Sequence, residues 1–595
     1  MREYSVPASF TIPEDASMAD TVYRYEKECP NLVPFQRQAG GTWTDVTAGQ
    51  FAKEVAAVAK GFIASGVEVG DRVAILSSTR YEWVVLDYAI WTAGGCTVAI
   101  YETSAADQAQ WILEDSATTM LVLETPEHAE ALKAVTEGAA DLREVLQIDA
   151  GAIEELSTRG AGVSDEDLHA RRKQVNASSP ATLIYTSGTT GRPKGVQLTH
   201  GNFYAEIQAT SMALHDSMNE GNRTLMFLPM AHVFARAVSV AAFESKVTIG
   251  HTSDVTTLLD QFATFKPDFI LSVPRVFEKV YNSAKQKAYD GGKGKIFDKA
   301  AATAIEWSEA KDKGGPGLIL SAKHAVFDKL VYSKLRTALG GNCERAVSGG
   351  AALGARLGHF FRGVGIPVYE GYGLTETSAA ITVNTTTEQR IGSVGKPLNG
   401  HAAKIADDGE LLVKGPVVFG GYWHNDKATA ESIVDGWFHT GDLGSIDQDG
   451  FVSITGRKKE IIVTAGGKNV APAVLEDALR ANALISQCLV VGDGKPFIGA
   501  LITLDPEALP GWKERHSIAE NIAFEDLKKN PDLIAEVDRA VADANKKVSK
   551  AEQIKKYSVL EVDFTAETGE LTPTMKLKRN VIHQERGSEI EAIYS

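Results

Sequence analysis

The segment Ala181-Thr-Leu-Ile-Tyr185-Thr-Ser-Gly-Thr-Thr-Gly-Arg-Pro-Lys-Gly195 joins an apolar stretch to a loop of glycine, hydroxyl and lysine residues. The apolar stretch predicts a strand. Glycines let the backbone wrap around an anion, the hydroxyls add donors, and Lys194 adds a positive charge. The segment therefore predicts a phosphate-binding loop, with a solvated turn as the alternative. It is not a Walker A loop, because Pro193 precedes the lysine and Gly195 follows it.

The residues before this loop alternate between strand and helix patterns. Thr47 and Gln50 have the spacing of a capping box, and the apolar residues after them recur with a helical period as far as Ser65-Gly66. Residues 73–77 and 120–124 have strand character, and an amphipathic helix begins near Ser104. This alternation predicts an α/β fold with mixed and largely parallel sheets.

Composition narrows the class of protein. The chain has 595 residues, of which 44% are hydrophobic and 23% charged, as expected for a globular protein of several domains. A net charge of −16 argues against nucleic acid as a partner. The four cysteines lack metal-ligand spacing, which predicts a reducing, cytoplasmic location.

Membrane and export signals are weak in the sequence. The N-terminal residues lack the apolar core of a signal peptide. The most apolar stretch, residues 83–101, contains Asp87 and is interrupted by Gly94-Gly95, so it predicts a buried helix and a strand. We therefore expect a soluble protein, for which peripheral contact with a membrane remains open.

Two later regions shape the expected domain organisation. Residues 291–317 form a polar, glycine-containing insertion with helical patterning, for which we expect a surface position. After the turn 447–450 and Gly456-Arg-Lys-Lys459, a smaller α+β unit follows, with a helix from about Pro472 and strands near 488–491 and 497–504. We predict an N-terminal domain of residues 1–458 and a C-terminal domain of residues 459–595, joined by a hinge.

The glycine-rich loop resembles the phosphate loop of the acyl-adenylate-forming superfamily, and four further motifs of that superfamily follow it in order. They are Tyr369-Glu-Gly-Tyr-Gly-Leu-Thr-Glu-Thr377, Gly436-Trp-Phe-His-Thr-Gly-Asp442, Gly456-Arg-Lys-Lys459 and Leu571-Thr-Pro-Thr-Met-Lys576. Together the motifs cover roughly residues 40 to 580. The resemblance implies an enzyme that joins a carboxylic acid to AMP, with ATP, Mg²⁺ and CoA as cofactor and co-substrates.

The resemblance implies a role for each motif. Tyr372 would stack on adenine, Thr375 would bind the α-phosphate, and Glu376 with Thr186 would hold Mg²⁺. Asp442 and Arg457 would bind the ribose. The remaining nucleotide-binding candidates are Ser187, Gly188, Thr189, Thr190, Gly191, Lys194, Gly349, Gly350, Ala351, Glu370 and Gly371.

The resemblance also implies catalytic and mobile residues. Lys576 would stabilise the charge that grows when the carboxylate attacks the α-phosphorus. Many relatives have Ser-Gly before this lysine, whereas Thr574-Met575 precedes it here, so Lys578 is a rival. Lys459 would be the hinge residue. Gly466, Gly467 and Lys468 would lie along the route of the CoA pantetheine arm.

His232 resembles the imidazole that the family places near the substrate carboxylate, although a lone histidine among apolar residues is also typical of a core. Some long-chain relatives have a gating tryptophan shortly after this histidine, where this chain has Arg236. The catalytic candidates are therefore Lys576, Thr375, Glu376 and His232.

Pro274-Arg-Val-Phe-Glu-Lys279 and Gly456-Arg-Lys-Lys-Glu-Ile-Ile-Val463 resemble the long-chain fatty acyl-CoA synthetases in particular. The implied reaction converts a long-chain fatty acid, ATP and CoA to acyl-CoA, AMP and pyrophosphate. Three alternatives stay open: an acyl-AMP ligase that serves a carrier protein, a noncatalytic fatty-acid or nucleotide-binding protein, and a luciferase-like oxidation. Lysines between 546 and 556 could meet CoA phosphates or form a solvated helix face. The sequence also leaves open whether the protein forms a homodimer.

Overall fold

The computed structural model describes residues 1–186, 192–572 and 575–595. Its N-terminal part contains several sheets, and the expected α/β fold with mixed sheets is confirmed. One sheet has the strand order Gly421–Tyr422, Lys194–Thr199, Pro180–Thr186, Cys96–Ile100, Arg72–Leu76, Met120–Leu123 and Glu144–Gln147. A second has the order Phe269–Ser272, Arg345–Ser348, Val368–Leu374, Ala379–Val383 and Lys396–Pro397.

Two further sheets complete this part. One has the order Arg223–Met226, Thr248–His251, Phe35–Ala39 and Thr42–Val46. The other has the order Glu3–Ser5, Ala402–Ile405, Glu410–Lys414, Trp437–Ile446 and Ile433–Val434, and Val452–Arg457 also pairs with Trp437–Ile446. Neighbouring strands in the centres of the first two sheets are parallel, so their carboxyl ends share one edge.

The C-terminal part is a smaller α+β unit. Ile485–Val491 is antiparallel to Ile498–Leu504, which is parallel to Ile554–Leu560. The short strands Ile462–Val463 and Asn469–Val470 form a separate hairpin. Buried apolar clusters contain residues up to Val452 on one side and from Ile462 on the other, so the two parts have separate cores.

Helices cover the sheets. Their bounds are Asp20–Glu28, Ala48–Ala64, Tyr81–Thr92, Ala106–Asp115, Pro126–Ala131, Lys133–Gly138, Ala152–Arg159, Asp165–Arg172, His200–Ala213, Val233–Glu244, Leu258–Phe265, Pro274–Asp290, Gly294–Lys311, Leu318–Phe327, Ser333–Ala338, Ala355–Val364, Asp426–Ser432, Pro472–Arg480, Leu509–Arg515, Phe524–Leu527, Pro531–Asn545, Arg579–Glu585 and Gly587–Tyr594. The capping box at Thr47 is present, because Thr47 and Gln50 exchange side-chain and backbone hydrogen bonds.

The helix Tyr81–Thr92 and the strand Cys96–Ile100 are buried, as the sequence predicts. Among the residues that can be described, no helix has the length and apolar character needed to cross a membrane. The expected surface position of residues 291–317 is wrong in part. The helix Gly294–Lys311 buries Phe297, Ala300 and Ala304 against the helix Ala355–Val364. The approach is close, since a Cβ at Gly363 would lie 2.2 Å from the Ala304 carbonyl oxygen.

Candidate active site

A cavity of about 760 Å³ lies between the N-terminal part and the C-terminal unit. Gly349 and Gly350 follow the strand Arg345–Ser348, and Thr375 follows the parallel neighbour Val368–Leu374, so both segments meet at the carboxyl edge of the sheet. Ligands of open α/β sheets bind at such an edge. One end of the cavity is polar, and the other is lined by Leu214, Val233, Phe234, Val238, Val347, Ala379, Ala380 and Val383.

A tight backbone turn points Thr375 and Glu376 towards the cavity. After this turn, Ser378 and Ala379 have φ values of 55° and 115°, which L-residues rarely adopt. A Cβ at Gly373 would lie 1.4 Å from the Ala379 carbonyl oxygen, so only glycine fits there. Strain of this kind is tolerated where function requires a fixed geometry.

The Glu376 carboxyl is enclosed by protein. Its Oε1 accepts a hydrogen bond from the Tyr422 hydroxyl at 2.8 Å, and burial raises its pKa against the opposing effects of its own backbone N–H, Tyr422, Arg457 and Lys194. The Lys194 ammonium lies 4.9 Å from the centre of the Tyr422 ring. No cation of the described residues pairs directly with this buried carboxylate, which therefore suits a divalent metal ion, and Thr186 on the same wall could provide a further oxygen.

Tyr372, Asp442 and Arg457 form a connected polar group. The Tyr372 hydroxyl donates to Asp442 Oδ2 at 2.6 Å, and Arg457 Nε donates to Asp442 Oδ1 at 2.9 Å. Asp442 is only 3% exposed, and it lies behind the cavity wall that Tyr372 and Arg457 line. Each Asp442 oxygen therefore already has one partner, and a ribose hydroxyl would have to share that oxygen or replace the partner.

Lys576 enters the same cavity from the C-terminal unit. Its backbone N–H donates to Thr572 Oγ1 at 3.0 Å, and its carbonyl oxygen accepts from the Thr572 N–H at 2.8 Å. The Lys576 side chain is exposed to the open cavity, and the protein that forms the cavity walls surrounds it. Desolvation and then Arg457 lower its pKa, whereas Asp442, Glu376 and Glu460 raise it. Lys578 is not on the wall, so the structure brings only Lys576 of the two rivals to the site.

His232 lies on the wall and immediately precedes the helix Val233–Glu244. Its Nδ1 accepts a hydrogen bond from the Phe234 N–H at 3.1 Å, and desolvation, aided by Lys576, lowers its pKa to about 3. The imidazole is therefore neutral at pH 7, with its proton on Nε2. Arg236, one turn later, points into the core and binds Asp87, so it does not occupy a gate position.

Several predicted residues are not brought to the wall. Burial raises the pKa of Glu370 to about 7, and its carboxyl accepts from the Leu353 N–H at 2.9 Å behind the cavity, while Gly371 is on the wall. Ala351 does not line the cavity. Ser187, Gly188, Thr189, Thr190 and Gly191 lie outside the described residues.

The loop between the short strands of the C-terminal hairpin also lies away from the cavity. It contains Gly466, Gly467 and Lys468, and Lys468 forms an ion pair with Glu552 at 3.3 Å. Lys459, by contrast, lines the cavity. The resemblance had assigned this loop to the CoA route, so the observed arrangement leaves it distant from the polar end.

Interdomain contacts hold the C-terminal unit in this position. Arg275 pairs with Asp505 at 3.2 Å and donates to the Ser486 hydroxyl at 3.3 Å, and Lys279 pairs with Glu507 at 2.9 Å. All three bonds join the helix Pro274–Asp290 to the C-terminal unit. They keep Lys576 facing the cavity.

Sequence reasoning missed Tyr422 and Glu206. Tyr422 lies on an edge strand next to Lys194–Thr199, and only the sheet pairing reveals its proximity to Glu376. Glu206 lies on the buried helix His200–Ala213 and lines the apolar end of the cavity. A charged residue in a helix without an evident polar face was the available signal.

Comparison with known proteins identifies the family. Residues 24–423 match the family model of the AMP-binding enzyme, and residues 459–595 match that of the AMP-binding enzyme C-terminal domain. The chain is 58% identical to the long-chain-fatty-acid–CoA ligase FadD15 of Mycobacterium bovis, with 100% of both chains covered. It is 32% identical to the long-chain-fatty-acid–CoA ligase ACSBG2 of Gallus gallus, covering 93% of this chain and 78% of that protein.

A solved structure with the same fold is the anthranilate CoA ligase AuaEII in complex with anthranoyl-AMP, with a TM-score of 0.73 and 18% identity over 98% of this chain and 99% of that one. ATP-bound MatB from Rhodopseudomonas palustris gives a TM-score of 0.69 at 22% identity, over 96% and 99% of the two chains. The polar cavity, the ordered motifs and these matches together show that the chain belongs to the AMP-binding enzyme family.

Proposed function

We propose that this protein is an AMP-forming ligase that converts a long-chain fatty acid, ATP and CoA to acyl-CoA, AMP and pyrophosphate through a bound acyl-adenylate. The observation that carries the proposal is the entry of Lys576 into a cavity that has Glu376, Thr375 and Lys194 near it and an apolar wall beyond. Such a cavity provides for a polyphosphate and a hydrocarbon chain at the same time. The full-length identity to FadD15 supports a long-chain acid as the substrate.

The polar end of the cavity fits ATP. In our proposal Tyr372 stacks on adenine, Arg457 and Asp442 bind the ribose, and Thr375 donates to the α-phosphate. The segment from Thr186 to Lys194 binds the other phosphates, and Gly349, Gly350 and Gly371 let the nucleotide approach the backbone closely. Glu376 and Thr186 would hold Mg²⁺, which neutralises phosphate charge when bound.

The first step joins the acid to AMP. A carboxylate oxygen attacks the α-phosphorus, the bond from that phosphorus to the bridging oxygen breaks, and pyrophosphate leaves. Negative charge grows on the phosphate oxygens, and the Lys576 ammonium stabilises this charge more strongly than the ground state. Neutral His232 can donate a hydrogen bond from Nε2–H to one oxygen of the substrate carboxylate, which orients the other oxygen for attack.

The second step needs a different arrangement. The CoA thiol attacks the acyl carbonyl carbon and AMP leaves, which requires access that Lys576 and the closed cavity do not provide. We propose that residues 459–595 form a mobile domain that rotates about Lys459, withdraws Lys576 and brings the loop with Gly466, Gly467 and Lys468 towards the CoA arm. Separate cores on either side of this segment support such a motion.

The setting of the protein is part of the proposal. Cys29, Cys96, Cys343 and Cys488 are all free thiols, which supports a reducing compartment such as the cytoplasm. A second function uses the same residues for adenylation: an acyl-AMP ligase that passes its product to a carrier protein. Release of AMP that depends on free CoA separates the two functions.

The test compares Lys576→Ala with the matched control Lys578→Ala, because Lys578 lies off the cavity wall. Removal of one preorganised charge should lower acid-dependent pyrophosphate formation by about 10²–10³. Formation of acyl-CoA from supplied acyl-AMP should survive in both variants. Equal loss of both steps in Lys576→Ala, or equal loss in the Lys578→Ala control, would contradict the assignment.

A further inference from the structure

The helix Leu318–Phe327 lies outside the site and exposes unusually large apolar side chains. Leu318 is 91% exposed and Ile319 is 87% exposed, and no residue of this helix is buried. Val326 and Leu330, further along, are 57% and 52% exposed. Single exposed apolar residues are ordinary, whereas a contiguous group of them indicates a surface that another body covers.

The spacing places these side chains on one face. Leu318, Ala322, Val326 and Leu330 recur every four residues, so they form a continuous line along the helix, and Ile319 widens it at the first turn. We call this line, with Ile319, the apolar stripe. The helical turn continues past Phe327 through Asp328–Tyr332, so the stripe is not interrupted before Leu330.

The opposite side of the same segment is firmly attached to the protein. Phe327 and Val331 pack against the main core, and the Tyr332 hydroxyl donates to the Ala300 carbonyl oxygen at 2.7 Å. His324 Nε2 hydrogen-bonds the Gly363 carbonyl oxygen at 2.6 Å. The stripe is therefore exposed because the other side of the helix packs against the protein. The segment is not detached.

The segment that carries the stripe has a positive net charge, although the whole chain carries −16. Residues 311–334 contain five lysines and two aspartates, a net charge of +3. Both aspartates are already paired, Asp312 with Arg362 at 2.7 Å and Asp328 with Arg336 at 2.7 Å. The exposed Lys313, Lys323, Lys329 and Lys334 form no ion pair within the part of the chain that the structure describes.

An aromatic side chain borders the same region. The Trp307 ring stacks on His324 with ring centres 4.2 Å apart, and Lys311 Nζ lies 4.0 Å from its centre. Tryptophan and lysine next to an apolar face are the combination found where proteins meet the boundary between lipid headgroups and acyl chains. The exposed Glu306 beside Leu318 is an acidic residue at the edge of this surface.

We propose that the apolar stripe docks the protein on a bilayer that contains anionic phospholipids. Leu318, Ile319 and Val326 insert at the acyl boundary, and the surrounding lysines bind the headgroup phosphates. A second copy of the chain fits this surface less well, because pairing two stripes would bring like-charged lysines together. This inference concerns attachment, and it goes beyond the proposed reaction.

Flotation of the full-length protein with phosphatidylcholine vesicles, with and without phosphatidylglycerol, tests the proposal. Leu318→Ser with Ile319→Ser should lower the partition coefficient at least about tenfold, because two inserted side chains are lost. Lys323→Glu with Lys329→Glu should weaken binding only to the anionic vesicles, and added salt should have the same effect. Glu306→Lys should strengthen binding to the anionic vesicles.

The control is Val255→Ser, a change at a residue that is 60% exposed elsewhere on the surface. It should bind vesicles like the unaltered protein, and all variants should keep unaltered acid-dependent ATP consumption with a short, water-soluble acid. Equal vesicle binding by every variant, or no binding by the unaltered protein, would overturn the proposal. A dimer in light scattering that Leu318→Ser with Ile319→Ser dissociates would overturn it in favour of self-association.

Discussion

The Glu206 carboxyl lies among apolar side chains at the end of the cavity that we assign to the acyl chain. It is 2% exposed, and its Oε1 accepts from the Thr210 hydroxyl at 2.9 Å and from the Ala380 N–H at 3.2 Å. Its Oε2 has no partner among the described residues. Burial raises the pKa of Glu206 to about 8, although both hydrogen bonds lower it. At pH 7 the group is therefore mostly protonated, which suits a hydrocarbon neighbour.

The raised pKa predicts a pH-dependent contribution to stability. Between about pH 4.5 and 8 the folded protein binds more protons at Glu206 than the unfolded chain, so the free energy of unfolding falls as pH rises through that interval. Glu206→Gln keeps an acceptor for Ala380 and cannot ionise. We expect this variant to gain at least about 1 kcal/mol over the unaltered protein at pH 9 and little at pH 5.

Urea unfolding at the two pH values measures this difference. The control Glu520→Gln changes an exposed acid and should unfold like the unaltered protein at both values. A Glu206→Gln variant with the same stability difference at pH 5 and pH 9 would show that Glu206 does not titrate as described.

At the scale of single residues, the sequence motifs located Thr375, Glu376 and Lys576 because each has a fixed position within one short segment. They could not locate Glu206 or Tyr422, whose neighbours come from distant segments joined by sheet pairing and helix packing. The separation of Glu370 from Gly371 has a local reason. The Leu353 N–H holds the Glu370 carboxyl behind the cavity, whereas the next six residues of the chain, 371–376, all line it.

At the scale of elements, a buried ion pair joins the helix Val233–Glu244 to the helix Tyr81–Thr92. Arg236 is fully buried, its Nε donates to Asp87 Oδ2 at 2.8 Å, and Asp87 also accepts from the Thr97 hydroxyl at 2.7 Å. The Arg236 guanidinium lies 5.2 Å and 5.1 Å from the ring centres of Trp83 and Trp91. The pair fixes the helix that carries His232 at its start.

Removal of one partner should be far more costly than removal of both. Arg236→Met leaves the Asp87 charge buried and uncompensated, and we expect a loss of about 3–5 kcal/mol in unfolding free energy. Asp87→Leu combined with Arg236→Met should recover most of that loss, because the site becomes apolar. Tryptophan fluorescence during urea unfolding reports on this region directly, and equal losses in the single and double variants would contradict the account.

Helices were partly predictable from local patterns. The capping box at Thr47 set the start of the helix Ala48–Ala64 correctly, since both of its hydrogen bonds are local. The buried face of Gly294–Lys311 could not be inferred from the polar flanks of the insertion. It depends on packing against the helix Ala355–Val364, where Gly363 allows close approach.

At the scale of the whole molecule, the segment Lys458–Glu460 joins two separately packed cores. Glu460 is tied to Arg579 at 3.2 Å, while Lys459 lines the cavity. That pair lies within the C-terminal unit, whereas the ion pairs of Arg275, Lys279 and Asp290 with residues of the C-terminal unit cross the boundary. Because these links are polar contacts between side chains, a rotation can exchange them without unfolding either part.

The proposed rotation predicts a split between the two half-reactions. Proline at 459 fixes φ and should hinder rotation while permitting the observed arrangement. We expect Lys459→Pro to retain acid-dependent pyrophosphate formation and to lose at least about tenfold in transfer to CoA. Lys459→Ala, which keeps backbone freedom, should retain both. Normal transfer by the proline variant, measured by rapid quench, would contradict a hinge at this residue.

The domain organisation also shows where sequence information ends. Motif order predicted the fold class and the family, because each motif is a short segment whose residues can be identified without knowing what they pack against. The position of the loop with Gly466 and Gly467 depends on the rotational state of the C-terminal unit, which a sequence alone does not specify. The sequence motif therefore identifies the loop but does not predict how far it lies from the polar end of the cavity.

The central claim is that the carboxyl group of the acid becomes joined to AMP. Fatty acid labelled with ¹⁸O in its carboxylate, incubated with ATP, Mg²⁺ and CoA, tests this claim most directly by mass spectrometry of the phosphate products. The account predicts one ¹⁸O atom in the released AMP and none in pyrophosphate, because the carboxylate oxygen that attacks the α-phosphorus stays with it. Release of ADP with label in inorganic phosphate, or of unlabelled AMP, would contradict the account.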